Sequence, residues 1–310
     1  MESIHFSIIT PCLNAQAYIA EAIESVLAQN MTAVEHIVVD GGSTDSTLEI
    51  LKKYPHLIVI NGPDRGMYDA INKGIQLARG EWIGLLNADD IYPEGSLKQA
   101  LEAAALNPHL QAINGGFAVF EDDAESRKII RVSPSIEPDE FWYRIIGGST
   151  APNTWFLKRS VFMECGLYDD RYRYAADREM IIRLALAGVR PLSLPGVNYC
   201  FRQHKKSATF SMDDSRDPKR GALRINILLE GRDIQERYLS KPDLSQEVKN
   251  ILRQAHSETC YRLAATAIYH RQGKTLILAI FHGFRYDISW PMVFARMAAH
   301  RLLKEMTAHG

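Results

Sequence analysis

The feature that most constrains this chain lies in its first ninety or so residues, where four short apolar runs are separated by three stretches patterned for helix. Phe6-Ser7-Ile8-Ile9 reads as a buried strand ending at Thr10-Pro11. His36 to Val39, Leu57 to Ile60 and Glu81 to Leu86 read as three more. Between the first two runs, Ala15 to Ala28 carries apolar residues at Ile19, Ala22, Ile23, Val26 and Leu27, the stripe of an amphipathic helix. Ser43-Thr44-Asp45 offers capping oxygens to a helix through Leu48 to Leu51, and Met67 to Ala78 reads as a helix ended by Gly80. Strands joined by helices over short connections pair side by side in parallel, with the helices covering the sheet faces. The expectation is an α/β fold with a mostly parallel sheet flanked by helices. Such sheets bind ligands at the carboxyl ends of their strands.

Those ends are polar. The first strand runs into Thr10-Pro11-Cys12-Leu13-Asn14, the second into Asp40-Gly41-Gly42-Ser43-Thr44-Asp45, and the fourth into Asn87-Ala88-Asp89-Asp90. Carboxylates at the open end of a buried strand need a cation or hydrogen bonds to compensate them. An oxygen-preferring divalent ion, Mg²⁺ or Mn²⁺, meets that need and adds diphosphate oxygens as further ligands. Asp89 is the candidate ligand; the competing reading has Asp89 or Asp90 cap a helix after Pro93. Asp40 is placed to accept a bond from a base N–H or a ribose hydroxyl. Arg65, in Pro63-Asp64-Arg65-Gly66, can meet a phosphate or pair with an acid, and Asp69, Asn72 and Lys73 share one helix face behind it. The chain has no GxGxxG fingerprint after a strand and no GxxxxGK[ST] loop, so dinucleotide oxidoreductase and P-loop readings lose their support.

Further along, two strand-like runs flank Glu121-Asp122-Asp123, followed by an irregular stretch rich in aromatics and glycine that suits an acceptor pocket. Trp155 to Leu157 and Tyr199 to Arg202 read as strands, and Ser160 to Cys165 and Asp177 to Ala187 as helices closed by Gly166 and Gly188. Trp155 either packs or stacks on a sugar ring. After Asp213 the chain reads as helices only: Arg220 to Tyr238, Leu244 to Arg271, Lys274 to Phe284 and Pro291 to Met306. The expected division is a catalytic domain over 1–212 and a helical appendage over 213–310.

The segments ITPCLN, VDGGSTDST, DRGMYDAINKGI and GEWIGLLNADD, in that order, resemble the inverting glycosyltransferase family 2 with its GT-A nucleotide-sugar fold. The resemblance spans residues 5 to 205. It implies that Pro11, Asn14 and Asp40 line a nucleoside pocket, with Asp40 reading the base and Arg65 near the nucleotide. It also implies that Asp89 is the metal-binding aspartate of the family's DxD motif. Asn87 replaces that motif's first acid; it can bond a ribose but is a poorer metal ligand. Tyr174-Ala175-Ala176-Asp177-Arg178-Glu179 resembles the family's ED motif, with Ala176 in place of the usual Glu. Asp177 then stands at the catalytic-base position, with Glu179 as second choice and a helix cap as the competing reading of Asp177. His204 is a candidate third metal ligand beside its reading as an ordinary surface histidine. The implied reaction moves a sugar from a nucleotide diphosphate donor, a UDP-sugar, to a glycan or lipid-linked acceptor in surface polysaccharide assembly. Two rivals stand beside it: a sugar-1-phosphate nucleotidyltransferase, which needs a Gly-rich pyrophosphate loop that ITPCLNAQAY lacks, and a non-catalytic nucleotide-sugar binder.

Charge and cysteine content narrow the partners. A net charge of −1 argues against nucleic acid. The four cysteines, Cys12, Cys165, Cys200 and Cys260, show no paired spacing, which fits reduced thiols. The opening MESIHFSIITP is not a signal peptide, and a cytoplasmic location is expected. Between Arg271 and Gly310, six Lys/Arg stand against two acids, interleaved with Phe281, Phe284, Trp290, Met292 and Phe294. That segment suits an anionic membrane surface, or packing on the catalytic domain or on a second subunit.

Overall fold

The computed structural model describes residues 4–122, 127–136, 141–147, 151–204 and 217–286, which fall in two compact units, Met1–Ser207 and Ala208–Gly310. The expected boundary near residue 212 lies outside the described residues.

The first unit opens with β1 (Phe6–Cys12), α1 (Ile19–Leu27), β2 (Val34–Asp40), α2 (Thr47–Leu51), β3 (Ile58–Asn61), α3 (Met67–Leu77) and β4 (Trp82–Leu85). It continues with α4 (Ser96–Leu106), β5 (Ala112–Asp122), β6 (Arg127–Ser133), α5 (Phe141–Gly147), β7 (Trp155–Lys158), α6 (Arg159–Cys165), α7 (Ala176–Leu186) and β8 (Pro191–Gln203). All eight strands form one sheet in the order β3-β2-β1-β4-β7-β5-β6, with β8 also pairing with β5. The β1–β2, β1–β4, β2–β3 and β5–β8 pairs are parallel. The β4–β7, β5–β7 and β5–β6 pairs are antiparallel, so the expected parallel character holds for the amino-terminal half, and the other half is mixed.

β1 is the switch point. β2 and β3 lie on one side of it and β4 on the other, and a crevice opens where successive connections leave a sheet in opposite directions. The β1–β4 ladder stops at Ile9–Leu85, whereas β1 stays paired with β2 as far as Cys12–Asp40. Pro11 lies beyond the β4 ladder, where its missing N–H costs no pairing on that side. Gly74 lets α3 lie close on β1, because a Cβ there would come within 2.5 Å of the Ile9 side chain.

Several local expectations are corrected. α1 starts at Ile19 rather than Ala15, after a turn in which the Ala15 carbonyl accepts the N–H groups of Tyr18 and Ile19, while the N–H groups of Ala15 and Gln16 bond Thr47 Oγ1 and Asp45 Oδ2. Leu27 is exposed, while Ile19, Ala22, Ile23 and Val26 are buried as the stripe requires. β8 is much longer than the run Tyr199 to Arg202, because residues from Pro191 onward align along β5.

In the second unit, α8 (Pro218–Leu239) begins at Asp217, whose carboxylate accepts from the Lys219 N–H, and α9 (Gln246–Tyr269) begins at Ser245, capping Val248. With α10 (Gly273–Tyr286) they enclose Ile225, Leu263, Ala264 and Ala279. His256 and His282 both bond Glu236 Oε1, at 3.0 and 2.7 Å, tying the three helices through one carboxylate. The helix expected over Pro291 to Met306 lies outside the described residues. Among the described residues, no helix is long and apolar enough to cross a membrane.

Candidate active site

Asp40 closes β2 fully buried, and its own turn occupies it. Oδ1 accepts the N–H groups of Gly42 and Ser43 at 3.0 and 2.8 Å; Oδ2 accepts the Ser43 hydroxyl at 2.5 Å and faces the Cys12 thiol at 3.4 Å. Burial, and then the Asp40 charge, push the Cys12 thiol well above its usual range, so it is inert. Asn14 adopts φ +52°, a left-handed geometry that asparagine tolerates, and its Oδ1 accepts the Thr44 N–H at 2.9 Å. Its own N–H donates to Ser43 Oγ at 2.7 Å, which clasps the ends of β1 and β2 together. Beside this clasp, Asp64 lies against Gly41, where a Cβ would sit 2.5 Å from Asp64 Oδ2.

Across the switch point, Asn87 to Asp90 form a second polar group. Asp90 is almost fully buried: Oδ2 accepts from the Tyr199 hydroxyl at 2.7 Å and the Asn87 amide at 2.9 Å, and Oδ1 from the Arg202 N–H at 2.8 Å. Burial, and then the neighbouring Asp89 charge, push its pKa up to about 8. Neither Asp89 nor Asp90 caps a helix, because α4 starts at Ser96 after Gly95 in the left-handed region. Asp90 instead locks the loop to β8. Asp89 stays partly exposed, and its Oδ2 lies 2.9 Å from His204 Nε2. The His204 ring packs on Tyr18 at 4.8 Å. Arg202 is buried behind this pair; it donates to the Asp89 carbonyl at 2.8 Å, pairs with Glu21 and Asp122, and lies over the Tyr18 and Phe120 rings.

A carboxylate oxygen and an imidazole nitrogen within 3 Å of each other, at the mouth of the sheet, fit a divalent ion as two protein donors. No cluster of three or more His, Cys, Asp or Glu side chains is gathered for a metal among the described residues. The remaining positions would fall to phosphate oxygens and water, the ordinary arrangement for ions that work on phosphates.

A third group lies at the start of α7. Asp177 is its second residue and not its cap, since Ala175 occupies the cap position. Its Oδ1 accepts the Arg178 N–H at 2.6 Å, and the Tyr68 hydroxyl bonds the carboxylate as well. Burial raises the Asp177 pKa against these two bonds. Tyr68 is buried and stacks on Tyr168 at 5.7 Å. Asn72 fixes that neighbour, exchanging bonds of 2.8 and 3.0 Å with the Tyr168 backbone. Arg65 is exposed and pairs with acids, namely Asp69 at 2.9 Å and Asp170. Arg65 in turn holds the Asp69 carboxyl down at about 2.

Glu179 is not a second base. It is fully buried and paired with Arg183 at 3.0 Å, and Arg183 also bonds the carbonyls of Cys165, Gly166 and Leu167. A carboxylate with no exposure and a fixed cation cannot reach an acceptor. Trp155 is likewise buried in β7, which leaves no face for a sugar.

The structure thus joins Asp89 to His204, Asn87 to Asp90, Asn14 to the Asp40 turn and Arg65 to Asp170. It does not bond Asp40, Asp89 and Asp177 to one another. Sequence reasoning missed Tyr68, Tyr199 and Arg202. Tyr68 sits inside DRGMYDA, a motif already singled out, while Tyr199 and Arg202 carry no local signal because their common partner Asp90 is more than a hundred residues away.

The sequence profile described as Glycosyl transferase family 2 matches residues 7–166, which takes in the three strand ends and stops short of Asp177 and His204. A PGL/p-HBAD biosynthesis glycosyltransferase of Mycobacterium tuberculosis is 32% identical over 184 residues, covering 57% of this chain and 68% of the relative. The putative teichuronic acid biosynthesis glycosyltransferase TuaG of Bacillus subtilis is 30% identical over 43% of this chain and 55% of its own. Among solved structures, S. aureus TarS 1-349 in complex with UDP-GlcNAc superposes with a TM-score of 0.54 at 17% identity, covering 93% of this chain and 92% of that one. The mannosyltransferase PcManGT from Pyrobaculum calidifontis, in complex with GDP-Man and Mn²⁺, gives 0.55 at 18% identity, with 95% and 84% covered. At that identity the two solved structures speak for a shared GT-A fold; the profile match and the mycobacterial relative carry the assignment, and the chain is a glycosyltransferase belonging to family 2.

Proposed function

We propose that this glycosyltransferase transfers the sugar of a UDP-sugar to a hydroxyl of a glycan or lipid-linked acceptor, with inversion, in the assembly of a surface polysaccharide. The observation that carries the reading is the Asp89–His204 pair, 2.9 Å apart at the mouth of the sheet's switch point. Two protein donors, one of them a nitrogen, favour Mn²⁺ over Mg²⁺. When bound, the ion supplies positive charge to the departing diphosphate. Pro11, Asn14 and the Asp40 turn shape the nucleoside pocket. Asp40 itself maintains that turn, so any bond to the base exchanges with one it already makes. Asn87, whose amide nitrogen is held by Asp90, has its Oδ1 left for a ribose hydroxyl.

Asp177 serves as the base. Its carboxylate takes the acceptor hydroxyl's proton as that oxygen forms a bond to the anomeric carbon; the bond from carbon to the diphosphate oxygen breaks, and the electron pair leaves with the nucleotide. Attack from the face opposite the leaving group inverts the centre. Arg65, bridging Asp69 and Asp170 at the rim, positions the segment leading into α7.

TarS was crystallised with UDP-GlcNAc and PcManGT with GDP-Man and Mn²⁺, so nucleotide diphosphate sugars with Mn²⁺ are the ligands to try first. The test is a thermal-shift screen of UDP- and GDP-sugars with Mn²⁺, followed by assay of nucleotide release. A UDP-sugar is expected to stabilise the protein and turn over slowly, with both effects lost in Asp89→Ala. Stabilisation by GDP-sugars alone would overturn the choice of donor, and binding without any turnover would overturn the assigned reaction.

A further inference from the structure

The second unit carries a helix whose faces are reversed in size. α10 buries its small residues Ala279 and Gly283, and Ala279 together with the partly buried Leu276 packs on the cluster of Ile225, Leu263 and Ala264. Its other large apolar residues point outward: Ile277 is 69% exposed, Leu278 47%, Phe281 63% and Phe284 46%. Ile268 and Tyr269, at the end of α9, are also more than half exposed. A helix stabilised only by its own bundle shows the opposite arrangement, with large apolar residues inside and polar ones out. Lys274, Ile277, Leu278, Phe281, Phe284 and Arg285 follow the spacing of a single face, so the apolar stripe has a cation at each end.

The charge around this face bears on what can cover it. Between Glu258 and Asp287 the sequence holds Arg262, Arg271, Lys274 and Arg285 and no acid, in a protein whose net charge is −1. A second copy meeting it across a two-fold axis would set the cations of α10 against their own equivalents, with no carboxylate of α10 between them. The residues that follow, 287–310, have three Lys/Arg to two acids, so their net charge does not offset these cations. An anionic lipid surface satisfies both features, taking the aliphatic and aromatic side chains at the headgroup level and the cations at the phosphates.

We propose that the outer face of α10 docks this protein on an anionic lipid surface, with Ile277, Leu278, Phe281 and Phe284 inserting and Lys274 and Arg285 meeting lipid phosphates. His282, bonded to Glu236 at 2.7 Å, fixes the rotation of α10 so that this face stays outward. Binding does not depend on the catalytic reading and is measured without donor or acceptor.

The test is flotation of the full chain with vesicles of phosphatidylglycerol and phosphatidylcholine, against phosphatidylcholine alone. The bound fraction is expected to rise with the anionic lipid and fall with salt. Phe281→Ser/Phe284→Ser and Lys274→Glu/Arg285→Glu should each lower the partition coefficient by roughly ten-fold or more, with the thermal midpoint unchanged. In Phe281→Trp, the added emission should shift to the blue on anionic vesicles and be quenched by brominated lipid. Equal partition onto neutral and anionic vesicles, or none, overturns the proposal. Binding with Trp emission at that position unquenched assigns the contact to residues 287–310 and overturns it too. So does a solution dimer that Phe281→Ser/Phe284→Ser dissolves, which would give the face to a second copy.

Discussion

Asp177, the proposed base, shows how opposing surroundings set the state of a single side chain. Burial alone would push a carboxylate towards its neutral form, whereas the Tyr68 hydroxyl and the Arg178 N–H favour the anion. The outcome is a raised pKa, which strengthens the group as a base but requires it to be ionised before it can act. Activity should therefore fall as pH drops through that raised value, at higher pH than for an ordinary aspartate. Tyr68→Phe removes a bond to the anion and should move the acid limb of kcat further upward; an unmoved limb would rule Tyr68 out as a positioning residue. Asp177→Asn should lower kcat by about 10²–10⁴-fold with little change in donor affinity, as measured by titration with the nucleotide. At the proposed metal pair, Asp89 and His204, His204→Ala should raise the Mn²⁺ concentration needed for half-maximal activity by at least the roughly 10–100-fold that loss of an outer-shell partner costs. Asp177 and Asp89 could be singled out from sequence because each stands in a short motif at a predictable element end. Glu179 was misread for the same reason: two residues from Asp177 it looks equivalent in sequence, but the turn of the helix places it inside.

Elements, more than individual residues, decide which acids are usable. α7 presents Asp177 near its start and buries Glu179 one turn in, where Arg183 neutralises it and holds three carbonyls at the end of α6 and the loop after it. Glu179→Ala should then cost about 3–5 kcal/mol of stability by leaving a cation in that setting without its partner. The folded fraction should keep its kcat; urea unfolding with activity measured on the same samples separates this from a catalytic loss. β8 does comparable work for the other acids, since Tyr199, Arg202 and His204 reach back to Asn87, Asp89 and Asp90 from one strand and the residue after it. The sequence disclosed β8 only as a short run around Tyr199, because its first half is interrupted by Pro191, Pro195 and Gly196, which break the apolar pattern. The aligned partner β5 extends it. α1 was placed too early because residues 15–18 form a turn tied to the β2–α2 connection, thirty residues away, before the helix proper begins.

At the scale of the molecule, the sheet imposes conditions that no local pattern reveals. His36 lies wholly inside it with Nε2 on Thr10 Oγ1 at 2.9 Å, and burial depresses its pKa to about 3. The unfolded chain takes up that proton near pH 6.5 and the folded chain does not, so the unfolded state binds more protons between those values. Stability from this group is complete above about pH 6.5 and declines as pH falls, by up to about 1.4 kcal/mol per pH unit. Asp177 opposes the trend, because its raised pKa favours the folded state on acidification. The comparison is therefore with His36→Gln, whose unfolding midpoint should depend less steeply on pH between 4 and 6.5 than that of the parent. Equal slopes would show that His36 is protonated in the folded protein.

By itself, the sequence determined the alternation of strands and helices, the polar ends of β1, β2 and β4, and the family, because periodicity and turn chemistry are short-range properties written in consecutive residues. Tertiary structure alone decided that β7, β5 and β6 extend the sheet antiparallel beyond β4, that Asp90 belongs to the scaffold while Asp89 faces His204, and that α10 wears its large residues outward. Each of those depends on pairing between segments far apart in the chain or on which side of an element faces a neighbour. The free energy that settles them comes from burial and from bonds between distant residues, and a local pattern carries no record of either.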